Sequence, residues 1–575
     1  MLQKLRFLTT ILTLFYSANL LSMEPSVNLS DKALERVEDI KPLPFFFSNL
    51  VTQPFFGQNL EVLINGPFNP YSVFQYILDF GIQLDKEPIR KTDQTISFSA
   101  LARIKGIFGD KGSGINPFQE TKKFEIWMRD LFLLYSPTEN KNTFVQMGFF
   151  PFKVGNGIVL GNAYDINIPI AWQFIYEQID QFRPGFLIQL GDQKKSFSIN
   201  GYAGFVTSQN NLTAGDDSST FIGTLIDPAL GRKVYTPIAV VQITLGSLEN
   251  HHFQLSPSIF FQKDKQFIEI EHDAQSFLYT PDIFGLYQRG DIRVGFELAK
   301  NCGQQKVFAL DRTKLTYTFP SSIPITFENA FNRFRKSYTN NYAGYMAYLD
   351  FTLTKKNITW GIAGLYTSGD NDPNDTIETT LLTRFTPGVS YKTYDKKYKG
   401  FVGTDQIYET PTINNLYFAA GNFSYNDLAL IGSTLTYAAK KSDRTLTGQV
   451  TLASYFKPFA MTLDSIYHTG INPNSPLPHY LGTELNYEGS YTVDSHITLS
   501  LLGGIFFPGI FYHTLKQQFL NLDTEVLNVF EPSTIHPQII ATSTASKAAF
   551  FASFSVTWLF DSADWKKFFK RNHTY

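Results

Sequence analysis

Asp291-Ile-Arg-Val-Gly-Phe-Glu-Leu-Ala299 alternates without a break: Ile292, Val294, Phe296 and Leu298 fall on one side of an extended chain, and Arg293, Gly295, Glu297 and Ala299 on the other. Successive side chains of a strand point to opposite faces, so the stretch reads as a strand with one oily face and one polar face. The same period governs Ile96 to Phe108, where Ile96, Phe98, Ala100, Ala102, Ile104 and Phe108 oppose Ser97, Ser99, Arg103 and Lys105. It returns in Leu485 to Val493, and again near the end, where Phe550, Ala552, Phe554, Val556, Trp558 and Phe560 oppose Ser553, Ser555 and Thr557. Strands of soluble sheets usually run ~5 or 6 residues, whereas a tilted strand needs ~9 to 11 to cross a bilayer. These stretches match the second length.

Composition points the same way. Of 575 residues, 43% are apolar and 16% aromatic, with 55 Phe and 30 Tyr, while charged residues reach only 17%, below the ~25% of ordinary globular proteins. A mean hydropathy of -0.12 excludes a bundle of membrane helices, each of which needs ~20 consecutive apolar residues. A membrane barrel escapes that limit because only alternate side chains meet lipid. A net charge of -2 gives no basic excess of the kind nucleic acid demands. The single cysteine, Cys302, excludes an internal disulfide and a Cys-based zinc or redox motif.

The expected layout has four parts. Residues 1–22 read as a cleaved secretory signal, with Lys4 and Arg6 before the apolar Leu8 to Tyr16 and small residues at Ser17, Ala18 and Ser22. Residues 23–56 read as a periplasmic lead-in, 57–560 as a single large antiparallel transmembrane β-barrel, and 561–575 as a periplasmic tail. Tight turns at Pro137 to Asn140, Gly191 to Lys194, Lys355 to Asn357 and Asp494 to His496 contrast with long loops at Thr207 to Thr236, Ser368 to Pro411 and Pro508 to Ser546. Short periplasmic turns and long extracellular loops are the habit of outer-membrane barrels, and about 18 strands (range ~16 to 20) fit the chain. Aromatic residues at strand ends, Tyr342, Tyr345, Trp360, Tyr366 and Trp558, suit the headgroup level.

Three stretches resemble the alginate-export type of outer-membrane barrel, a porin-like family. They are Met147-Gly-Phe-Phe-Pro-Phe-Lys-Val-Gly-Asn-Gly-Ile-Val-Leu-Gly161, Leu365-Tyr-Thr-Ser-Gly-Asp-Asn-Asp372, and Leu481-Gly-Thr-Glu-Leu-Asn486 followed by Gly504-Ile-Phe-Phe-Pro-Gly509. The resemblance implies an 18-stranded barrel in a bacterial outer membrane that passes a small solute or a polysaccharide-like polymer by diffusion. It implies outer-membrane lipid and the barrel-assembly machinery as partners, no nucleic acid, no cofactor and no enzymatic activity. A barrel hydrolase and a surface adhesin with a plugged lumen stay open as alternatives.

The expected lumen charges are Arg103, Lys105, Glu125, Arg129, Arg293, Glu297 and Asp350. If the four bases cluster at a constriction they favour anions; if they pair with Glu125, Glu297 and Asp350 they satisfy one another. No catalytic residue stands out: there is no Gly-x-Ser-x-Gly elbow, and Glu484 and Glu488 lie ~13 Å apart along a strand, too far for an acid/base pair. His251 and His252, read as strand neighbours, point to opposite faces and cannot chelate together. Asp370, Asp372 and Asp375 place oxygen ligands on one loop, as calcium prefers, but without the glycine and distal glutamate of an EF-hand; a solvated acidic loop is the plainer reading.

Overall fold

The computed structural model describes residues 45–58, 71–88, 94–109, 122–137, 143–150, 152, 154–156, 158–160, 184–192, 196–209, 233–268, 271–307, 338–369, 379–382, 428–441, 444–459, 476–493, 496–511, 513–514 and 549–561. Its strands are β1 (Phe45–Gln58), β2 (Tyr71–Pro88), β3 (Thr95–Gly109), β4 (Lys122–Ser136), β5 (Phe144–Phe149), β6 (Pro184–Asp192), β7 (Phe197–Gln209), β8 (Lys233–Ser247), β9 (Phe253–Ile268), β10 (Glu271–Arg289) and β11 (Ile292–Lys300). There follow β12 (Cys302–Val307), β13 (Tyr338–Tyr342), β14 (Tyr345–Lys355), β15 (Ile358–Thr367), β16 (Thr379–Leu382), β17 (Ala429–Lys441), β18 (Arg444–Phe456), β19 (Tyr480–Thr492), β20 (Ile497–Pro508) and β21 (Ala549–Asp561).

Each strand of the wall pairs antiparallel with its neighbours in sequence, and β1 pairs with both β2 and β21, which closes the ring. β11 and β12 run as one strand interrupted at Asn301, and β13 and β14 as another, since Lys300↔Tyr345 and Gln304↔Asn341 keep one register. Counted so, eighteen strands among the described residues form a closed transmembrane β-barrel. β16 stands outside this count; it pairs in parallel with β13 and raises the rim above β15.

The connections sort by end. At one end β2–β3, β4–β5, β6–β7, β8–β9, β10–β11, β14–β15, β17–β18 and β19–β20 are joined by short turns; at the other the connections are long, except the two residues between β9 and β10.

The alternation read from sequence is the inside–outside alternation of the wall. On β11, Ile292 and Leu298 are exposed on the outer face while Gly295, Glu297 and Ala299 are buried within. On β14, Tyr345, Leu349 and Leu353 point out while Met346, Tyr348 and Asp350 point in. On β18, Leu452 faces out and Thr451, Ala453 and Tyr455 face in. Three outward aromatic rings lie over the glycine directly opposite: Tyr76 on Gly106, Phe296 on Gly285 and Tyr487 on Gly503, where an added Cβ would collide with the ring. Such cross-strand pairs restore packing where glycine supplies none.

Three expectations need correction. The barrel begins at Phe45, inside the segment 23–56 expected as a lead-in, and β1 is the strand that closes the ring. Pro54 is accommodated because the β1–β21 ladder skips Gln53 and Pro54 without changing register, as a residue lacking N–H requires. Tyr342 is buried rather than at headgroup level, whereas Tyr345, Trp360 and Trp558 are exposed on the outer face. His251 and His252 are not in a strand: His251 ends a single helical turn, Leu248–His251, and His252 caps it in a left-handed conformation. The signal 1–22 and most of the tail 561–575 lie outside the described residues.

Leu349, on the outer face of β14, is 58% exposed. Leu349→Arg is expected to destabilise the barrel by about 2–4 kcal/mol in lipid vesicles, measured by denaturant unfolding. Thr447→Arg, on the inner face of β18, is expected to cost about 1 kcal/mol or less. Equal costs would contradict the assignment of faces.

Candidate functional site: a strap across the lumen

β5 is only 6 residues long, so the chain leaves the wall at Phe149 while the neighbouring β4 continues. Phe150 turns in, is buried, and meets Phe132 and Tyr202 edge-on at centroid distances of 6.4 and 6.0 Å. Phe152 stacks on Tyr202 of β7 at 4.1 Å. Val154 and Leu160 then form a β-bridge, Val154 N donating to Leu160 O at 2.9 Å, with the turn at Gly155 and Asn156 between them.

The tip of this turn touches β11. Asn156 N donates to Glu297 Oε2 at 2.7 Å. Gly155 has φ +54, and a Cβ there would lie 2.7 Å from the Glu297 carboxyl carbon, so both the backbone conformation and the space call for glycine. β11 is six strands round the ring from β5. The wall route covers ~29 Å at the usual strand spacing, whereas the residues from Phe149 to Gly155 reach at most about 20 Å. The segment therefore cuts across the lumen as a strap. It is held by the burial of Val154, Ile158, Val159 and Leu160 and by a charge-assisted hydrogen bond, a class worth about 1.5–3 kcal/mol.

The expected lumen residues fall into two groups. On β3 and β4, Arg103 is buried and inward, and its guanidinium grips the Asp79 carboxylate of β2 with two hydrogen bonds, Nη2 to Oδ2 at 2.6 Å and Nε to Oδ1. Asp79 and Arg103 are direct cross-strand partners. Lys105 stands opposite Glu125 in the β3–β4 register, and Arg129 occupies a bulge, since Leu101 faces Asp130 and Ala102 faces Met128. The bulge explains why Met128 and Leu131, three positions apart, are both exposed. On the far wall, Glu297 and Asp350 are buried on β11 and β14, and Arg293 lies on the inner face nearer the turns, opposite Gln288 and Thr352. The four bases are thus not brought together.

Sequence reading missed several members of the site. Asp79 is the partner of Arg103. Asp282 on β10, 1% exposed and accepting a hydrogen bond from Ser258 at 3.3 Å, joins Glu297 and Asp350 to put carboxylates on three neighbouring strands. Tyr202 seats the strap. A signal for the strap was present: Phe150, Phe152, Val154 and Ile158 to Leu160 are too apolar for a solvated loop. Asp370, Asp372 and Asp375 lie outside the described residues, and among the described residues no group of three His, Cys, Asp or Glu is placed to hold a metal ion.

No protein-family model matches the sequence, and no curated protein matches it. Among solved structures the chain is similar to the outer membrane protein opdK from Pseudomonas aeruginosa, at 8% identity over 90% of this chain and 99% of that chain, with a TM-score of 0.41. It is also similar to Pseudomonas aeruginosa OccK7 (OpdD), at 8% identity, 90% and 100% coverage and a TM-score of 0.43. A third is Acinetobacter baumannii OccAB1, at 11% identity, 90% and 97% coverage and a TM-score of 0.43.

Loosening the tip should widen the passage. Glu297→Ala removes the acceptor for Asn156 N, and Gly155→Val adds a clash and a strained backbone. Both are expected to raise single-channel conductance and open-state noise in planar bilayers, and two variants indistinguishable from wild type would show that the strap does not limit the lumen.

Proposed function

We propose that the protein is a passive channel of a bacterial outer membrane through which small polar solutes diffuse past the strap. The observation that carries this reading is a closed ring with an apolar outside and an inner face of Ser, Thr, Asn, Gln and carboxylates, crossed at one level by a tethered segment. A constriction inside a polar lumen is what selects solutes by size and charge. In this reading the short turns face the periplasm, the long connections face outward, lipid surrounds the belt, and Trp558 with Phe560 on the last strand presents the signal to the assembly machinery.

The charges support a preference opposite to the one the bases suggested. Arg103 is committed to Asp79, Lys105 and Glu125 occupy complementary positions, and Arg129 sits in a bulge. The wall that receives the strap carries Asp282, Glu297 and Asp350 against Arg293, the single cation among the described residues of its inner face. Such a wall favours neutral and cationic solutes and disfavours a polyanion, so alginate is not the substrate we propose. The likeness to the alginate-export type rests on the three sequence motifs alone.

Purified protein in planar bilayers is expected to give discrete current steps with a reversal potential on the cation side in a KCl gradient. Asp282→Asn with Asp350→Asn should move that potential toward zero. Arg103→Ala made together with Asp79→Ala, which avoids leaving a buried charge alone, should leave it unchanged. Inserted protein that carries no ion current would overturn the channel, and an anion-side potential would overturn the selectivity.

A further inference from the structure

One row of directly opposed inner-face residues crosses four neighbouring strands: Asn200 on β7, Gln242 on β8, Ser258 on β9 and Asp282 on β10. At the usual strand spacing it runs for ~14 Å. The row above it is apolar, Tyr202, Val240 and Phe260, and all three are buried. The row below carries the hydroxyls of Ser198, Thr244 and Ser256 and leads through Phe284 to Glu297, with Ser256 Oγ donating to Thr244 Oγ1 at 3.3 Å. The strap is seated on Tyr202 of the upper row and ends on Glu297 of the lower one. Its path between those anchors crosses in front of the middle row, which becomes the back wall of a crevice between strap and barrel.

The side chains of that back wall are only half satisfied. Asn200 Nδ2 donates to Gln242 Oε1 at 3.3 Å, and Ser258 Oγ donates to Asp282 Oδ2 at 3.3 Å. Asn200 Oδ1 at one end and Asp282 Oδ1 at the other are buried acceptors with no hydrogen-bond partner among the described residues. Burying an acceptor without a donor is costly. Between the two stand the Gln242 amide nitrogen, which only donates, and the Ser258 oxygen, whose proton is committed and whose lone pairs accept. A hydroxyl answers every position of such a row because it both donates and accepts, whereas an ammonium meets the Gln242 nitrogen donor to donor. Asp282, Glu297 and Asp350 oppose an anion. Phe152 adds a platform: its ring lies flat on Tyr202, 4.1 Å away at an interplanar angle of 6°, so its second face turns away from Tyr202. The negative face of such a ring suits the C–H side of a pyranose. Burial deepens along the row, from the half-buried Asn200 and Gln242 to Asp282 at 1% exposure, so a solute enters at the amide end.

We propose that Asn200, Gln242, Ser258 and Asp282, with the ring of Phe152, form a binding site for an uncharged sugar, a mono- or disaccharide, held between the strap and the wall. The proposal rests on the reading of the chain as a channel and deepens it, since it names the class of solute that pauses at the strap. The ring hydroxyls donate to Asn200 Oδ1 and Asp282 Oδ1 and accept from the Gln242 amide, and the apolar side of the sugar rests on Phe152.

The test is saturation-transfer NMR of the detergent-purified full chain titrated with sucrose and, separately, with a polyethylene glycol of like mass. Ether oxygens accept but do not donate, so the glycol matches the sugar in size and leaves both buried acceptors unmet. Sucrose is expected to give a saturable signal and the glycol a non-saturating one. Asn200→Leu/Gln242→Leu should weaken the apparent Kd for sucrose about tenfold, Phe152→Leu should weaken it about threefold, and Thr434→Val, on the inner face of β17 away from the strap, should bind sucrose as wild type does. Saturation by the glycol equal to that by sucrose, no saturable sucrose signal in wild type, or a double variant that binds like wild type would overturn the site, and the wild-type comparison decides even where a variant does not fold. Planar-bilayer currents keep the two readings apart. Inserted wild type that binds sucrose but carries no ion current sinks the channel and leaves the site, whereas ion current without a saturable sucrose signal sinks the site and leaves the channel.

Discussion

Hydrocarbon offers no partner to a backbone N–H or C=O, and an unsatisfied group there costs several kcal/mol. A sheet in lipid has to end on itself, and in this chain the joint is the ladder between β1 and β21, ten residue pairs that bring together segments some five hundred residues apart. Everything else depends on that joint. It fixes which face of every strand meets oil, and it encloses the space the polar faces line. The proline within the joint is tolerated because a single missing donor interrupts the ladder without shifting it.

Once the ring is closed, a loop that leaves the wall early has nowhere to go but across. β5 stops short, and the apolar residues after it find a dry seat on Tyr202 and the inner wall rather than in water. The far anchor is a carboxylate buried on β11, which accepts from a backbone N–H at a glycine turn. A buried carboxylate without a donor is costly, so Glu297 and the strap tip stabilise each other: the wall positions the strap, and the strap satisfies the wall. The grip of Arg103 on Asp79 follows the same rule on the opposite side, and it removes from the lumen a charge that would otherwise face solute.

The period-two segments were legible because burial on one face is a local, repeated constraint, and Ile292 to Leu298 or Phe550 to Phe560 carry it in every second residue. β1 was illegible for the converse reason: its one proline, Pro54, interrupts the local signal, and its role comes from a partner at the other end of the chain. The bulge at Arg129 cannot be read from alternation, since one extra residue shifts the phase of the strand and only the facing strand shows where. Tyr342 and Tyr345 look alike in sequence, yet odd and even positions put one inside and one outside. The two histidines after β8 were misplaced because a four-residue helical turn leaves no periodic mark.

The sequence by itself determined the class of fold, the alternation of faces, the segregation of short turns from long loops and the identity of the residues that carry charge. Side-chain period and length are properties of each strand taken alone, and so they survive without knowledge of the partners. Which charges meet was decided only by tertiary structure: Asp79 beneath Arg103, Asp282 beside Glu297 and Asp350, and a glycine turn against β11. Those juxtapositions depend on strand register and on the curvature of a closed ring, and neither is written in any local stretch of the chain.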